Sequence, residues 1–180
     1  DSLLLIVQDY FIWVSFFVIL SFFTCYLLGR LMGLDNKLNL LLSSGLSICG
    51  ATAIAITAPL IKAKPNTLLI ALAIIFIINT VAIILFPLLG TYLNMNNDEF
   101  GIFSALAIND TGSVIGSALQ FSDNSVEVAT SLKILRILWL IPLIVLLNAK
   151  FNTSNVKNSF PLFIIFFIIA VIFSNLMNLS

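Results

Sequence analysis

Long apolar runs separated by short polar breaks fill the chain, and the runs are of two kinds. Continuous runs predict ordinary membrane-spanning helices at residues 10–32, 67–90, 125–148 and 159–177, because crossing a bilayer core takes about 20 apolar residues. Two other runs, 38–61 and 100–120, carry small and polar residues near their middles. We expect these two to break near 50–52 and 109–113. The pattern predicts an all-α integral membrane protein, a helical bundle with two discontinuous helices.

Composition agrees with this class. Hydrophobic residues make up 61% of the chain and charged residues only 9%, against roughly 25% charged residues in soluble domains. Lipid is therefore the expected surroundings of most of the chain. The net charge is zero, with 8 basic and 8 acidic residues, so nothing indicates a nucleic-acid partner. There is no His, and Cys25 and Cys49 lie within apolar runs, so we expect no metal, cofactor or disulfide.

The two ends of the chain indicate a fragment. The chain starts at Asp1 without an initiator Met or a signal peptide, and it stops beside an apolar segment. We expect residues 1–180 to be a single membrane domain cut from a longer protein.

Two topologies fit the basic residues. If the unusual segments cross the membrane, Lys62 and Lys64 lie opposite the other flanking cations, Arg30, Lys37, Lys150 and Lys157. If the segments are re-entrant hairpins, all six lie on one side. In the crossing topology, the positive-inside rule makes the side with Arg30, Lys37, Lys150 and Lys157 cytoplasmic. Counting charges leaves both topologies open.

The first unusual segment, "SSGLSICGATAIAITAPLI" (43–61), allows two interpretations. Small residues recur every four positions at Ser43, Ser47, Ala51 and Ala55, which would let two helices pack closely. Alternatively, Gly50 marks a backbone break, which is tolerated at membrane depth only inside protein or beside a water-filled cavity.

The second unusual segment places the pair Asn109-Asp110 directly before Thr111-Gly112-Ser113. A helix that restarts at Ser113, or at Thr52 in the first segment, would direct free N–H groups and a positive dipole end at an anion. An ionisable residue within the membrane, such as Asp110, is a functional-site candidate. Asp110 is instead a loop residue if the segment 100–108 never enters the bilayer.

Lys133 and Arg136 share a helix face because they are three residues apart. The Arg136 side chain could extend to the membrane interface. It could equally face inward and compensate the charge of Asp110 or of a bound anion. The sequence leaves both alternatives open.

Three stretches, "SICGATAIA" (47–55), "AINDTGSVIGSA" (107–118) and "KILRILWL" (133–140), resemble the YeiH-like family of proposed sulfate exporters. That family is grouped with the bile-acid symporter and cation/proton antiporter superfamily. The resemblance implies a bacterial inner-membrane protein of about ten helices in two inverted repeats, with two broken helices crossing near the middle. This chain departs from the family pattern in several places: Thr52 replaces Ser, Asn109 replaces His, and Gly112-Ser113 replace Ala-Gln. The missing His puts a proton-coupled role for that position in doubt.

The leading hypothesis is a secondary transporter that exports or exchanges a small anion, sulfate or a sulfonate, between the two broken helices. Asp110 would bind the coupling proton or sodium ion, and Lys133 or Arg136 would compensate charge. The predicted substrate-binding residues are Ser47, Cys49, Gly50, Ala51, Thr52, Asn109, Thr111, Gly112 and Ser113.

Two alternatives remain. Asn109-Asp110 resembles the Asn-Asp pair of electroneutral sodium/proton antiporters, in which the carboxylate carries the cation. The second alternative is a structural membrane subunit that does not transport. No nucleophile–base pair or metal-ligand set is visible, so we expect no enzyme. The oligomeric state, including a homodimer, stays open.

Overall fold

In the computed structural model, which describes the backbone of residues 2–151 and the side chains of residues 10–151, the regular elements are all helices. The described part holds eight of them: α1 (Ser2–Leu31), α2 (Asn36–Ser47), α3 (Ala51–Leu60), α4 (Pro65–Tyr92), α5 (Asn97–Ala107), α6 (Thr111–Phe121), α7 (Ser125–Leu138) and α8 (Leu140–Phe151). The helix predicted at 159–177 lies outside the described residues.

Three stretches are long and apolar enough to span a membrane: Tyr10–Leu31 within α1, Pro65–Tyr92, and Ser125–Phe151, which joins α7 and α8. Pro65 starts α4 because its missing N–H is harmless at the first helical position. Pro142 accounts for the interruption between α7 and α8, since it cannot donate to the carbonyl four residues earlier. The helix tightens there, and the Trp139 N–H donates to the Arg136 carbonyl at 3.1 Å. The prediction of an all-helical membrane fold is confirmed.

The segments α2 and α3 fold back on each other as a first hairpin. At its open end, Lys37 Nζ donates to the Lys62 carbonyl at 2.6 Å. Nearer the tip, Gly45 of α2 packs closely against Ile54 of α3. A Cβ added to Gly45 would lie only 2.8 Å from Ile54 Cδ1. The tip is Ile48–Gly50, where Gly50 has a φ of +64°. Glycine adopts this conformation without steric strain.

The segments α5 and α6 form a second hairpin of the same kind. The rings of Phe100 and Phe121, near its open end, stack with centroids 4.1 Å apart. Ser104 Oγ donates to the Val114 carbonyl at 3.3 Å across the hairpin. Its tip is Ile108–Asp110, between the end of α5 and the start of α6.

Each of the two unusual segments is thus interrupted once, at Ile48–Gly50 and at Ile108–Asp110. The four hairpin helices have 12, 10, 11 and 11 residues, so each is about 15–18 Å long at 1.5 Å per residue, about half of a bilayer core. The backbone reverses at each tip instead of continuing. Of the two topologies that the sequence left open, the described contacts fit the re-entrant one.

The first and second hairpins occupy equivalent positions in two successive units, each made of a long helix and a hairpin. Asp35 caps the start of α2 and Asn96 caps the start of α5, 61 positions further along. Gly29 lies against Asn39, and Gly90 lies against Phe100, again 61 positions on. Because the long helix α4 separates the two open ends, the hairpins enter the bundle from opposite ends. Their tips meet near its middle.

This arrangement separates the charges along the bundle. One end, here called the basic end, carries Asp35 and five cations: Arg30, Lys37, Lys62, Lys64 and Lys150. The opposite, acidic end carries Asp98, Glu99, Asp123 and Glu127. Because cytoplasmic loops carry an excess of Lys and Arg, we expect the basic end to be cytoplasmic.

Labelling of single cysteines introduced into the full-length protein tests this orientation. A membrane-impermeant thiol reagent should label Asp98→Cys in intact cells, and should label Lys64→Cys only after permeabilisation, since both positions are exposed at opposite ends. The protein without an added cysteine, which keeps Cys25 and Cys49, is the control. The reverse labelling pattern would contradict the assignment.

Candidate functional site

The two hairpin tips touch each other. A Cβ added to Gly50 would lie 3.4 Å from the Asp110 backbone nitrogen and 3.5 Å from the Asn109 carbonyl carbon. Any larger residue at position 50 would therefore meet the second tip, in addition to the strain of its positive φ. We call this contact, formed by Ile48–Gly50 and Ile108–Asp110, the tip junction.

Lys133 joins both tips from α7. Its side chain is fully buried, at 0% exposure. Its Nζ donates to the Ile108 carbonyl at 2.9 Å and to the Ile48 carbonyl at 3.4 Å. A single ammonium group thus holds the last carbonyl before each turn.

Arg136, one turn further along α7, binds the ends of the two incoming helices. It is also 0% exposed. Its Nη1 donates to three carbonyls at the end of α5, those of Ala105, Leu106 and Ile108, at 2.6, 2.9 and 3.1 Å. Its Nη2 donates to two at the end of α2, those of Leu46 and Ser47, at 3.1 and 3.0 Å.

These contacts follow from helix chemistry. The last carbonyls of a helix have no partner within it, and the C-terminal end carries partial negative charge. Arg136 supplies both donors and positive charge to two such ends at once. The interpretation in which Arg136 reaches the membrane interface is therefore wrong, because the side chain faces the interior and its guanidinium carbon lies 5.7 Å from the centre of the Phe17 ring.

Asp110 has a different partner from the one considered in the sequence. Its carboxylate accepts from the Ser113 N–H at 3.0 Å and from Ser113 Oγ at 3.1 Å, which makes it the N-cap of α6. In the described part of the chain, the hydrogen bonds of Lys133 and Arg136 go to backbone carbonyls instead. The two cations therefore compensate helix ends rather than pair directly with Asp110.

The outgoing helices α3 and α6 begin at the tip junction, and their first turns differ. Asp110 caps α6, whereas Gly50 gives α3 no side-chain cap. Thr52 and Gly112, in the first turns of α3 and α6, are exposed in this chain. Gly50 thus gives the first turn of α3 no side-chain acceptor, and within that turn the Ala53 N–H donates to the Cys49 side chain.

Asn79, in the middle of α4, belongs to the junction although it was not among the predicted site residues. Its side chain is 3% exposed, and its Oδ1 accepts from the Asn109 N–H at 3.2 Å. Ile75, one helical turn earlier, lies against Gly50. An amide in the middle of an apolar spanning helix is the signal that could have indicated it.

The remaining predicted residues lie at or next to the tips, in different environments. Ser47 is buried, and its hydroxyl donates to the Ser43 carbonyl at 2.7 Å, within α2. Cys49, Asn109 and Ser113 are buried, while Ala51 and Thr111 are half-buried. The structure thus brings all the predicted site residues to one layer of the bundle. That layer holds two buried cations, one carboxylate and the start of two helices.

The fold and the tip junction define an integral membrane protein in which two re-entrant helical hairpins meet between long helices. The chain belongs to the family described as Conserved hypothetical protein 698, whose model matches residues 5–180. This match confirms the resemblance to the YeiH-like family.

Several bacterial membrane proteins are similar to this chain. A UPF0324 membrane protein of Photobacterium profundum is 38% identical over 150 residues, covering 83% of this chain and 46% of the relative. One from Bacteroides thetaiotaomicron is 38% identical over 161 residues, covering 87% and 49%. One from Streptococcus pneumoniae is 40% identical over 156 residues, covering 81% and 46%. The chain thus spans about half the length of these curated relatives. No solved structure matches it.

Proposed function

We propose that this chain forms part of a secondary transporter that moves a small anion, sulfate or a sulfonate, and that the anion binds at the tip junction. The observation that carries this proposal is the way the charges are used there. Lys133 and Arg136 bind the carbonyl ends of α2 and α5, so the partial negative charge of those ends is compensated. The partial positive charge at the start of α3 is not compensated by a side chain of its N-cap residue, Gly50. An anion is the ligand that a helix N-terminus favours.

The net charge of the layer supports the same ligand. Two buried basic side chains, Lys133 and Arg136, share this layer with a single carboxylate, that of Asp110. Charged side chains at membrane depth carry a free-energy penalty, and a bound anion would reduce the excess positive charge. The predicted residues Thr52 and Thr111 to Ser113 lie in the first turns of α3 and α6, where such an anion would bind.

The arrangement of the two units supports transport. Repeats of opposite orientation, with helix ends meeting near the membrane centre, are a common design of secondary transporters. In this chain each unit is a long helix with a hairpin, and the hairpins enter from opposite ends. Relative movement of the two hairpins would open the tip junction toward either side in turn. Asp110, on the second tip, would bind the coupling proton or sodium ion.

Flux through the full-length protein tests the proposal. Liposomes containing that protein should accumulate radiolabelled sulfate when a sodium or pH gradient is imposed, and protein-free liposomes should not. Failure to transport sulfate or a simple sulfonate under any gradient would overturn the anion assignment. Sodium/proton exchange in the same vesicles, without any anion requirement, would instead support the antiporter that Asn109-Asp110 resembles.

A further inference from the structure

Asn79 carries a donor that the protein leaves unused. Its Oδ1 accepts from the Asn109 N–H, so the other end of the amide is Nδ2, which bears two hydrogens. Nδ2 is buried and has no hydrogen-bond partner among the described residues. A buried donor without a partner is unfavourable by about 1–3 kcal/mol, so an amide kept in this state requires an explanation.

The position of this donor indicates what it serves. Asn79 contacts the second tip through Asn109, and Ile75 on the same face of α4 lies against the first tip at Gly50. The unpaired Nδ2 therefore belongs to the part of α4 that contacts the tip junction. Arg136 Nε, in the same layer, is likewise buried and unpaired.

We propose that Asn79 Nδ2 is a specificity-determining donor that binds the anion at the tip junction. This inference rests on the proposed function, and it adds the chemistry of the ligand. The two unpaired groups named above, Asn79 Nδ2 and Arg136 Nε, are N–H donors, while Oδ2 of Asp110 already accepts two bonds from Ser113. The site thus selects a ligand group that only accepts hydrogen bonds, such as a fully ionised oxyanion, over one that must also donate.

The burial of Asn79 Nδ2 also connects anion binding to movement of the tips. With the tips in contact, the Asn79 side chain is only 3% exposed, so the anion reaches it when the tips separate. A donor that is unpaired when the tips touch and paired when the anion is bound favours the separated state in the presence of anion. Asn79 thereby links anion binding to movement of the hairpins.

Two substitutions at position 79 in the full-length protein test the proposal, with sulfate as the probe. Asn79→Asp keeps an oxygen for the Asn109 N–H and, when ionised, replaces the amide donor with an oxygen that only accepts hydrogen bonds. Asn79→Leu removes both. Thr80→Val is the matched control, because Thr80 is the next residue on α4, is exposed, and donates only to the Phe76 carbonyl of its own helix at 2.8 Å.

We expect both Asn79 variants to bind sulfate about 10- to 100-fold more weakly, the loss typical of a hydrogen bond to a charged group. The half-saturating concentration for uptake should rise by a similar factor, while the uptake by Thr80→Val stays close to that of the parent protein. Unchanged sulfate affinity in both Asn79 variants, with the parent protein binding sulfate, would overturn the role of Asn79 alone. A parent protein that binds no sulfate would overturn this inference and the proposed function together.

Discussion

Replacing Arg136 with Met should abolish transport and lower the free energy of unfolding by about 3–5 kcal/mol, the range observed when one partner of a buried charged network is removed. Five carbonyls, at the ends of α2 and α5, lose the Arg136 donor at once, and of these the Ile108 carbonyl keeps a second donor, Lys133 Nζ. A Met side chain fills similar space but donates nothing, so the other four carbonyls lose the donor that compensates them inside the bundle. Unfolding of the purified full-length protein by denaturant, followed by circular dichroism, would measure the change.

Two further variants separate the causes of this effect. Arg136→Lys keeps the charge, but an ammonium cannot reproduce the planar fork that reaches both hairpins. We expect it to fall between Arg136→Met and the parent protein in stability. Arg30→Met removes an equivalent charge from an exposed position at the basic end and should leave unfolding nearly unchanged. If Arg136→Met unfolded like the parent protein and still transported, Arg136 would not hold the hairpins together.

The apolar pattern was sufficient to predict the long helices, because membrane-spanning segments depend on local hydrophobicity. It was also sufficient to place the two unusual segments, since Gly50 and the pair Asn109-Asp110 interrupt apolar runs. Small and polar residues in the middle of a run are compatible with a broken crossing helix and with a hairpin alike. The contacts that decide between them, such as Lys37 with Lys62, join residues far apart in sequence.

The recurrence of the two units has a sequence signal that composition alone does not reveal. Two capping residues, Asp35 and Asn96, are separated by nearly the same distance as the two tip residues Gly50 and Asp110. The residue type differs between the two members of each pair, so the spacing is the sequence feature that indicates the repeated unit.

The roles of Lys133, Arg136 and Asn79 were harder to predict, because each depends on the partner that the tertiary fold supplies. The shared face of Lys133 and Arg136 follows from helix periodicity. Their binding to the carbonyl ends of two hairpins does not, because it needs the hairpin ends to converge on α7. Asn79 was missed for the same reason, as its partner at Asn109 is 30 residues away.

Asp110→Asn should uncouple transport while leaving the fold intact. Asparagine is as good an N-cap as aspartate, so its side-chain oxygen can still accept from the Ser113 N–H at the start of α6. Only the negative charge is lost, and with it the group proposed to bind a proton or sodium ion. We therefore expect gradient-driven sulfate uptake in liposomes to be lost, because an ionisable residue within the membrane is a candidate for carrying the coupling ion.

Two comparisons separate the effect of losing the helix cap at Asp110 from the effect of losing its negative charge. Asp110→Ala removes the cap as well and should lower the free energy of unfolding by about 0.5–2 kcal/mol, whereas Asp110→Asn should not. Asp123→Asn, at an exposed position of the acidic end, should transport like the parent protein. If Asp110→Asn kept its gradient-driven uptake, the carboxylate would act only as a helix cap. Loss of gradient dependence with downhill sulfate flux retained would assign to Asp110 the coupling step, because the anion would still bind at the tips while the ion that drives its accumulation no longer does.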